Sequence, residues 1–202
     1  RVYDPQYSAS AGGDTADGFA GGGQVGCDYQ LGAWVIGVQG MLDGASIKNS
    51  HIYPPPNGDS SETLGFNTSW FATETARIGY VLTPQTLAYF RGGLAEAGIR
   101  YTDVDPRVSA ISPYWGSASA TRVGWTIGGG AEYSFARNWS VFVEYDYMGF
   151  GSQNATLAYT APNPANASPY TYRETQNLQT VLVGLNFKFD WAAPPAPVAA
   201  RY

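Results

Sequence analysis

The thirteen prolines of this 202-residue chain stand in a few clusters and leave long uninterrupted segments between them. They fall at Pro5, at Pro54, Pro55 and Pro56, at Pro84, Pro106 and Pro113, at Pro162, Pro164 and Pro169, and at Pro194, Pro195 and Pro197. Proline has no N–H to give to a ladder, so it marks the breaks between strands rather than their interiors. The segments it spares are rich in glycine, aromatic and β-branched residues, which is the composition of strands. Strands are therefore expected over about 17–28, 32–45, 63–82, 87–102, 120–135, 139–152 and 175–189.

The connections between these strands alternate in length. Short turns are expected at Tyr29-Gln30-Leu31, at Thr83-Pro84-Gln85-Thr86 and at Ala136-Arg137-Asn138. Long polar loops lie between them, one holding Pro-Pro-Pro-Asn-Gly and another rich in Asn, Ala, Pro and Tyr. Short turns at one end and long loops at the other are the asymmetry of a transmembrane β-barrel, whose short turns face the periplasm.

Residue alternation agrees. Trp139, Val141, Val143, Tyr145 and Tyr147 share one face, and Ser140, Phe142, Glu144 and Asp146 the other. Trp34, Ile36, Val38 and Leu42 alternate with Val35, Gly37, Gln39 and Met41. A soluble β-sandwich also alternates, with its apolar face turned inward. The discriminating feature is the position of the aromatics. Tyr29, Trp34, Tyr80, Tyr133, Phe135, Trp139, Phe187 and Phe189 all lie within a few residues of a short turn or of the last strand's end, as a membrane-interface girdle requires.

Composition excludes several other classes. No run approaches the 18 or so apolar residues of a membrane-spanning helix. One cysteine, Cys27, cannot build a disulfide framework, and its alternation with Val25 and Tyr29 places it on the lipid face. A net charge of -5 argues against nucleic-acid binding. The strand count is odd, whereas bacterial barrels of this class close with an even number. An eighth strand is therefore expected ahead of residue 17, either upstream of Arg1 or as a stub within residues 1–10. The expected organisation is an outer loop or first-strand remnant over 1–16, a barrel over 17–189 and a Pro-rich periplasmic tail over 190–202.

The pieces GFAGGGQVGCDYQLGAWVIGVQG, ARIGYVLTPQTLAYFRGGLA, GWTIGGGAEYSFARNWSVFVEYDYMGFG and VGLNFKF occur in that order. The set resembles the small outer-membrane β-barrel family of alphaproteobacteria, the porin-like, OmpA-like eight-stranded surface proteins, over about residues 17–189. Members of that family typically begin with a strand that has no counterpart here. The closing segment resembles the assembly signal of outer-membrane barrels, carried here by Gly184, Phe187 and Phe189. The resemblance implies a bacterial outer-membrane location and insertion by the barrel-assembly machinery, among outer-membrane lipid and lipopolysaccharide.

The inward face carries Gln24, Gln39, Arg77, Arg91, Arg122, Glu132, Glu144 and Asp146. These side chains either line a narrow water path or fill the interior as a salt-bridged plug. An eight-stranded barrel is only just wide enough for its own side chains, and buried charges persist when paired, which favours the plug. Arg77 and Arg91 are expected within ion-pair reach of Glu132 or Glu144. His51, the single histidine, and Tyr53 are read as loop residues and are the only haem-ligand candidates; otherwise no cofactor, metal or catalytic group is expected. Glu74 and Glu96 are expected side by side on the outer face near the top of the apolar band. There they are either solvated at headgroup level or part of an interface with a neighbouring membrane protein, unless a bulge in one strand turns one of them inward toward Arg100 or Arg122.

The leading expectation is therefore a non-enzymatic surface barrel that stabilises the envelope and presents its outer loops. A small-solute pore or a haem or ligand receptor is the alternative, and a subunit of a membrane assembly a second.

Overall fold

Seven long antiparallel strands, joined in chain order, make up one curved sheet in the computed structural model, which describes residues 2–4, 9–10, 15–53, 62–105, 114–160 and 170–189. Two short strands come first, β1 (Val2–Asp4) and β2 (Ala9–Ser10). The long ones are β3 (Gly18–Leu31), β4 (Trp34–Tyr53), β5 (Glu62–Thr83), β6 (Thr86–Asp105), β7 (Tyr114–Ala136), β8 (Trp139–Thr160) and β9 (Tyr170–Phe187). The sheet order is β2-β1-β9-β8-β7-β6-β5-β4-β3.

Most strands run further outward than the sequence reading placed them. β4 continues to Tyr53, so His51 and Tyr53 belong to a strand, paired with Leu64 and Glu62, and not to a loop. The ladder continues because residues 45–53 meet a long partner in β5, and cross-strand pairing outweighs the polar composition of that stretch. The first turn also shifts. Tyr29, Gln30 and Leu31 stay in β3, and the chain reverses at Gly32-Ala33, where Gly32 takes φ 63°. Glycine adopts that conformation without steric cost, so the reversal settles there. The Pro-Pro-Pro loop, Pro5 and the expected tail over 190–202 lie outside the described residues.

Alternation then decides which face is wet. Val25, Val38, Ile78, Phe90, Val123, Ile127, Val143, Val181 and Leu185 are exposed on the convex face, Phe90 at 76% and Val181 at 69%. An apolar exterior of this extent is what a lipid-facing wall needs. Its lower edge carries the aromatics expected at an interface: Trp34 stands edge-on to Tyr80 at 5.1 Å, Trp139 to Phe187 at 5.0 Å, and Phe187 to Phe189 at 5.0 Å.

The sheet curls until its two ends nearly meet. Gln24 on β3 donates to Asn186 Oδ1 on β9 at 2.7 Å, although these strands share no backbone pairing. Between them lies a slot lined by residues 15–20 of the β3 side and 174–182 of β9. At its outer end β1 pairs antiparallel with β9, Val2 with Glu174 and Tyr3 with Arg173.

Candidate functional site

The concave face gathers nearly all the buried polar side chains, in layers that climb from the short turns. At the bottom Gln39 donates to Gln24 Oε1 at 2.5 Å, and Gln24 in turn reaches Asn186. Glu132 accepts from Ser140 at 2.6 Å and pairs with Lys188 at 2.7 Å and with Arg77 at 3.8 Å. The principal partner of Arg77 is Asp28, engaged by both Nε and Nη2. The Arg77 guanidinium also lies 5.1 Å from the centre of the Tyr89 ring.

One layer higher, Arg91 is held by two carboxylates. Its Nε donates to Asp146 Oδ1 at 2.8 Å, its Nη2 meets Asp146 Oδ2 at 2.5 Å, and the same Nη2 lies 2.9 Å from Glu144 Oε1. Tyr89 donates its hydroxyl to the other Glu144 oxygen at 2.8 Å. Side-chain exposure is 0% for Arg91, 0% for Asp146 and 1% for Glu144, so this cluster is taken wholly out of water.

The sequence explains how groups on non-adjacent strands meet. Arg91 on β6 and Asp146 on β8 face each other across β7, where the register places Gly128. A Cβ at Gly128 would stand 2.0 Å from Asp146 Oδ1, and one at Gly130 would stand 2.8 Å from the Tyr89 hydroxyl. The Gly128-Gly129-Gly130 run thus leaves two inward positions empty, and the β6 and β8 side chains cross over them.

Above the charges the interior turns apolar. Met41, Phe71, Ala95, Ala97, Met148 and Phe150 form one buried cluster, with Phe71 and Met148 at 0% exposure. Arg122 lies beyond it, apart from the other two arginines. It donates to the Tyr101 hydroxyl at 2.9 Å and approaches Glu174 Oε2 at 3.4 Å. The sequence reading grouped Arg122 with Glu132, Glu144 and Asp146. The register instead sets it opposite Ala97, in the upper part of the interior, where Glu174 is its carboxylate.

Seven participants escaped the sequence reading: Asp28, Asp43, Tyr89, Tyr101, Glu174, Asn186 and Lys188. Period-two counting would have found some of them. Asp28 follows Gln24 by four residues, Asp43 follows Gln39 by four, and Tyr89 precedes Arg91 by two. Tyr101, inside the expected strand, follows Arg91 by ten, whereas Glu174 lies just ahead of the expected start at 175.

Asp43 differs from the others. It is 4% exposed, and its Oδ2 has no hydrogen-bond partner among the described residues. Arg91, the cation of the neighbouring layer, acts on it through space but is engaged at contact distance by Asp146 and Glu144. A buried carboxylate oxygen left without a donor is costly. Asp43→Asn is therefore expected to stabilise the folded barrel by about 1 kcal/mol, read as a higher urea midpoint in lipid vesicles. An unchanged or lower midpoint would mean that the carboxylate is satisfied.

Glu74 and Glu96 stand exposed on the convex face. Glu74 pairs with Leu94 and Glu96 with Ala72, so the two carboxylates are diagonal rather than direct neighbours. β5 does carry a bulge, between Thr68 and Trp70, but it lies above Glu74 and leaves both glutamates outward. Cys27 is exposed. Gly184 faces inward, where a Cβ would stand 2.5 Å from the Phe142 ring, while Phe187 and Phe189 join the aromatic lower edge. Among the described residues no group of three or more His, Cys, Asp or Glu is placed to hold a metal ion.

Residues 4–189 match the family model described as outer membrane protein beta-barrel domain. The chain is similar to the 31 kDa outer-membrane immunogenic protein of Brucella melitensis biotype 1, with 33% identity over 179 residues, 87% of this chain and 68% of the relative. It is also similar to the 25 kDa outer-membrane immunogenic protein of Brucella abortus biovar 1, with 27% identity covering 86% of this chain and 67% of that protein. An uncharacterised protein of Coxiella burnetii is 27% identical over 184 residues, 86% of this chain and 71% of its own length. No solved structure matches.

Proposed function

This chain belongs to the outer membrane protein β-barrel domain family, and from that premise we propose that it is a non-catalytic structural barrel of the bacterial outer membrane, its interior filled rather than conducting, which presents its outer loops at the cell surface. The observation that carries this reading is the Arg91 cluster, an ion triad at 0–1% side-chain exposure with an apolar layer directly above it. Permeating water or ions would have to displace both layers. Relatives named outer-membrane immunogenic proteins fit a barrel whose loops are accessible from outside.

The barrel also needs its slot closed. β3 and β9 both run toward the short turns, so a single strand antiparallel to both must run outward between them, as β1 does at the outer end. One such strand brings the long strands to eight, an even number.

Glu74 and Glu96 stand nine and ten residues above their shared turn, roughly 25 Å along the barrel axis at about 3.3 Å per residue and 40° of tilt. That is the outer edge of the apolar band, where a carboxylate keeps its water.

Planar-bilayer recording tests the filled interior. Reconstituted protein is expected to give no discrete conductance steps above the bare membrane. Reproducible steps that scale with salt concentration would replace the structural reading with a small-solute pore.

A further inference from the structure

We propose that the convex face of β4–β7, just above the apolar band, is a docking site for the phosphorylated sugar headgroup of an outer-leaflet glycolipid, with Lys48 and Arg100 as its phosphate ligands. The register brings the parts together. Lys48 pairs with Asn67, Asn67 with Arg100, and Arg100 with Ser119, so the four form one outward row across four strands. Lys48 and Arg100 are both exposed and stand two strands apart, roughly 10 Å between backbones. Neither has an ion-pair partner among the described residues.

Beside this row is a cavity of about 350 Å³, lined in part by Asn67, Trp70, Arg100 and Ser119. The bulge between Thr68 and Trp70 makes it, because the extra residue turns Ser69 and Trp70 outward together. The Trp70 indole then lies across Gly98, where a Cβ would stand 2.1 Å from its Nε1, so only glycine lets the ring settle there. Asn67 itself is only half-buried and stands between the two cations in this row. Two cations, hydroxyl side chains and a fixed aromatic wall suit a phosphosugar better than a bare anion.

Height selects the lipid as the source of that headgroup. Arg100 is fourteen residues above Thr86 and Lys48 fourteen above Trp34, each roughly 35 Å up the wall. The apolar band is about 25 Å tall, so the row lies about 10 Å beyond it, level with outer-leaflet headgroups when the short turns face the periplasm. Glu96 does not interfere, being four residues down the strand from Arg100, roughly 13 Å away.

The test is native mass spectrometry of the full chain in detergent, titrated with a bis-phosphorylated diglucosamine lipid, its dephosphorylated form, inorganic phosphate and an oligo-glutamate peptide. The bis-phosphorylated lipid is expected to bind saturably at one site, and the dephosphorylated form about tenfold or more weakly. Lys48→Gln/Arg100→Gln should lose a similar factor, while Lys48→Arg/Arg100→Lys keeps most of the affinity. Both variants face outward, and the gel shift between folded and heated protein checks that each has folded. Equal binding of the two lipids, full affinity in the Gln variant, or displacement of the lipid by phosphate or the acidic peptide at equal concentration would overturn the proposal.

Discussion

Arg91→Met should cost about 3–5 kcal/mol of folding free energy, because it strands Glu144 and Asp146 in a dry interior without their shared cation. Methionine is close in volume, so the loss reflects charge rather than a cavity. Urea unfolding in lipid vesicles, followed by tryptophan fluorescence, measures it. The triple variant Arg91→Met, Glu144→Gln, Asp146→Asn separates the two effects. With all three charges gone it should recover most of the loss, since a buried ion cluster replaced as a whole is often neutral. A single variant within about 1 kcal/mol of the parent would show that the carboxylates keep water around them, which contradicts a filled interior.

Closing the slot is the second large effect. β3 and β9 each present a row of backbone N–H and C=O groups toward it below β1. In lipid every unsatisfied backbone group costs several kcal/mol, which is why spanning sheets close on themselves. Residues 1–202 carrying an extension of about ten alternating residues that continues β1 toward the short turns are therefore expected to be more stable than residues 1–202 alone by several kcal/mol. The folded band of the unheated sample should survive on a denaturing gel to a clearly higher temperature. A scrambled extension without alternation should give no gain. Equal gains from both, or none from either, would mean that the edges are satisfied in another way.

Much of this was readable from the chain, for identifiable reasons. Proline spacing and two-residue turns depend on local backbone chemistry, so the seven strands and their order could be read directly. The strict period of two assigned Val38, Val143 and Tyr145 to one face and Gln39, Glu144 and Asp146 to the other. Aromatics beside the short turns, such as Trp34 and Trp139, distinguished a membrane wall from a sandwich. The outer strand ends were not readable, because pairing with a long partner outweighs the polar composition around His51.

What the sequence by itself determined is which side chains face inward along each unbroken stretch of strand, since that depends only on the strand's own alternation. Which of them meet was decided by the tertiary structure. Partnership depends on register across strands far apart in the chain and on which intervening positions are glycine. Arg91 reaches Asp146 because Gly128 lies between them, and Arg122 finds Glu174 because its register sets it opposite Ala97, further up β6 than Arg91. In the same way Lys48 and Arg100, distant in sequence, share a row only once β5 has been laid between β4 and β6. A strand's alternation is local, whereas cross-strand partnership is a property of the assembled sheet.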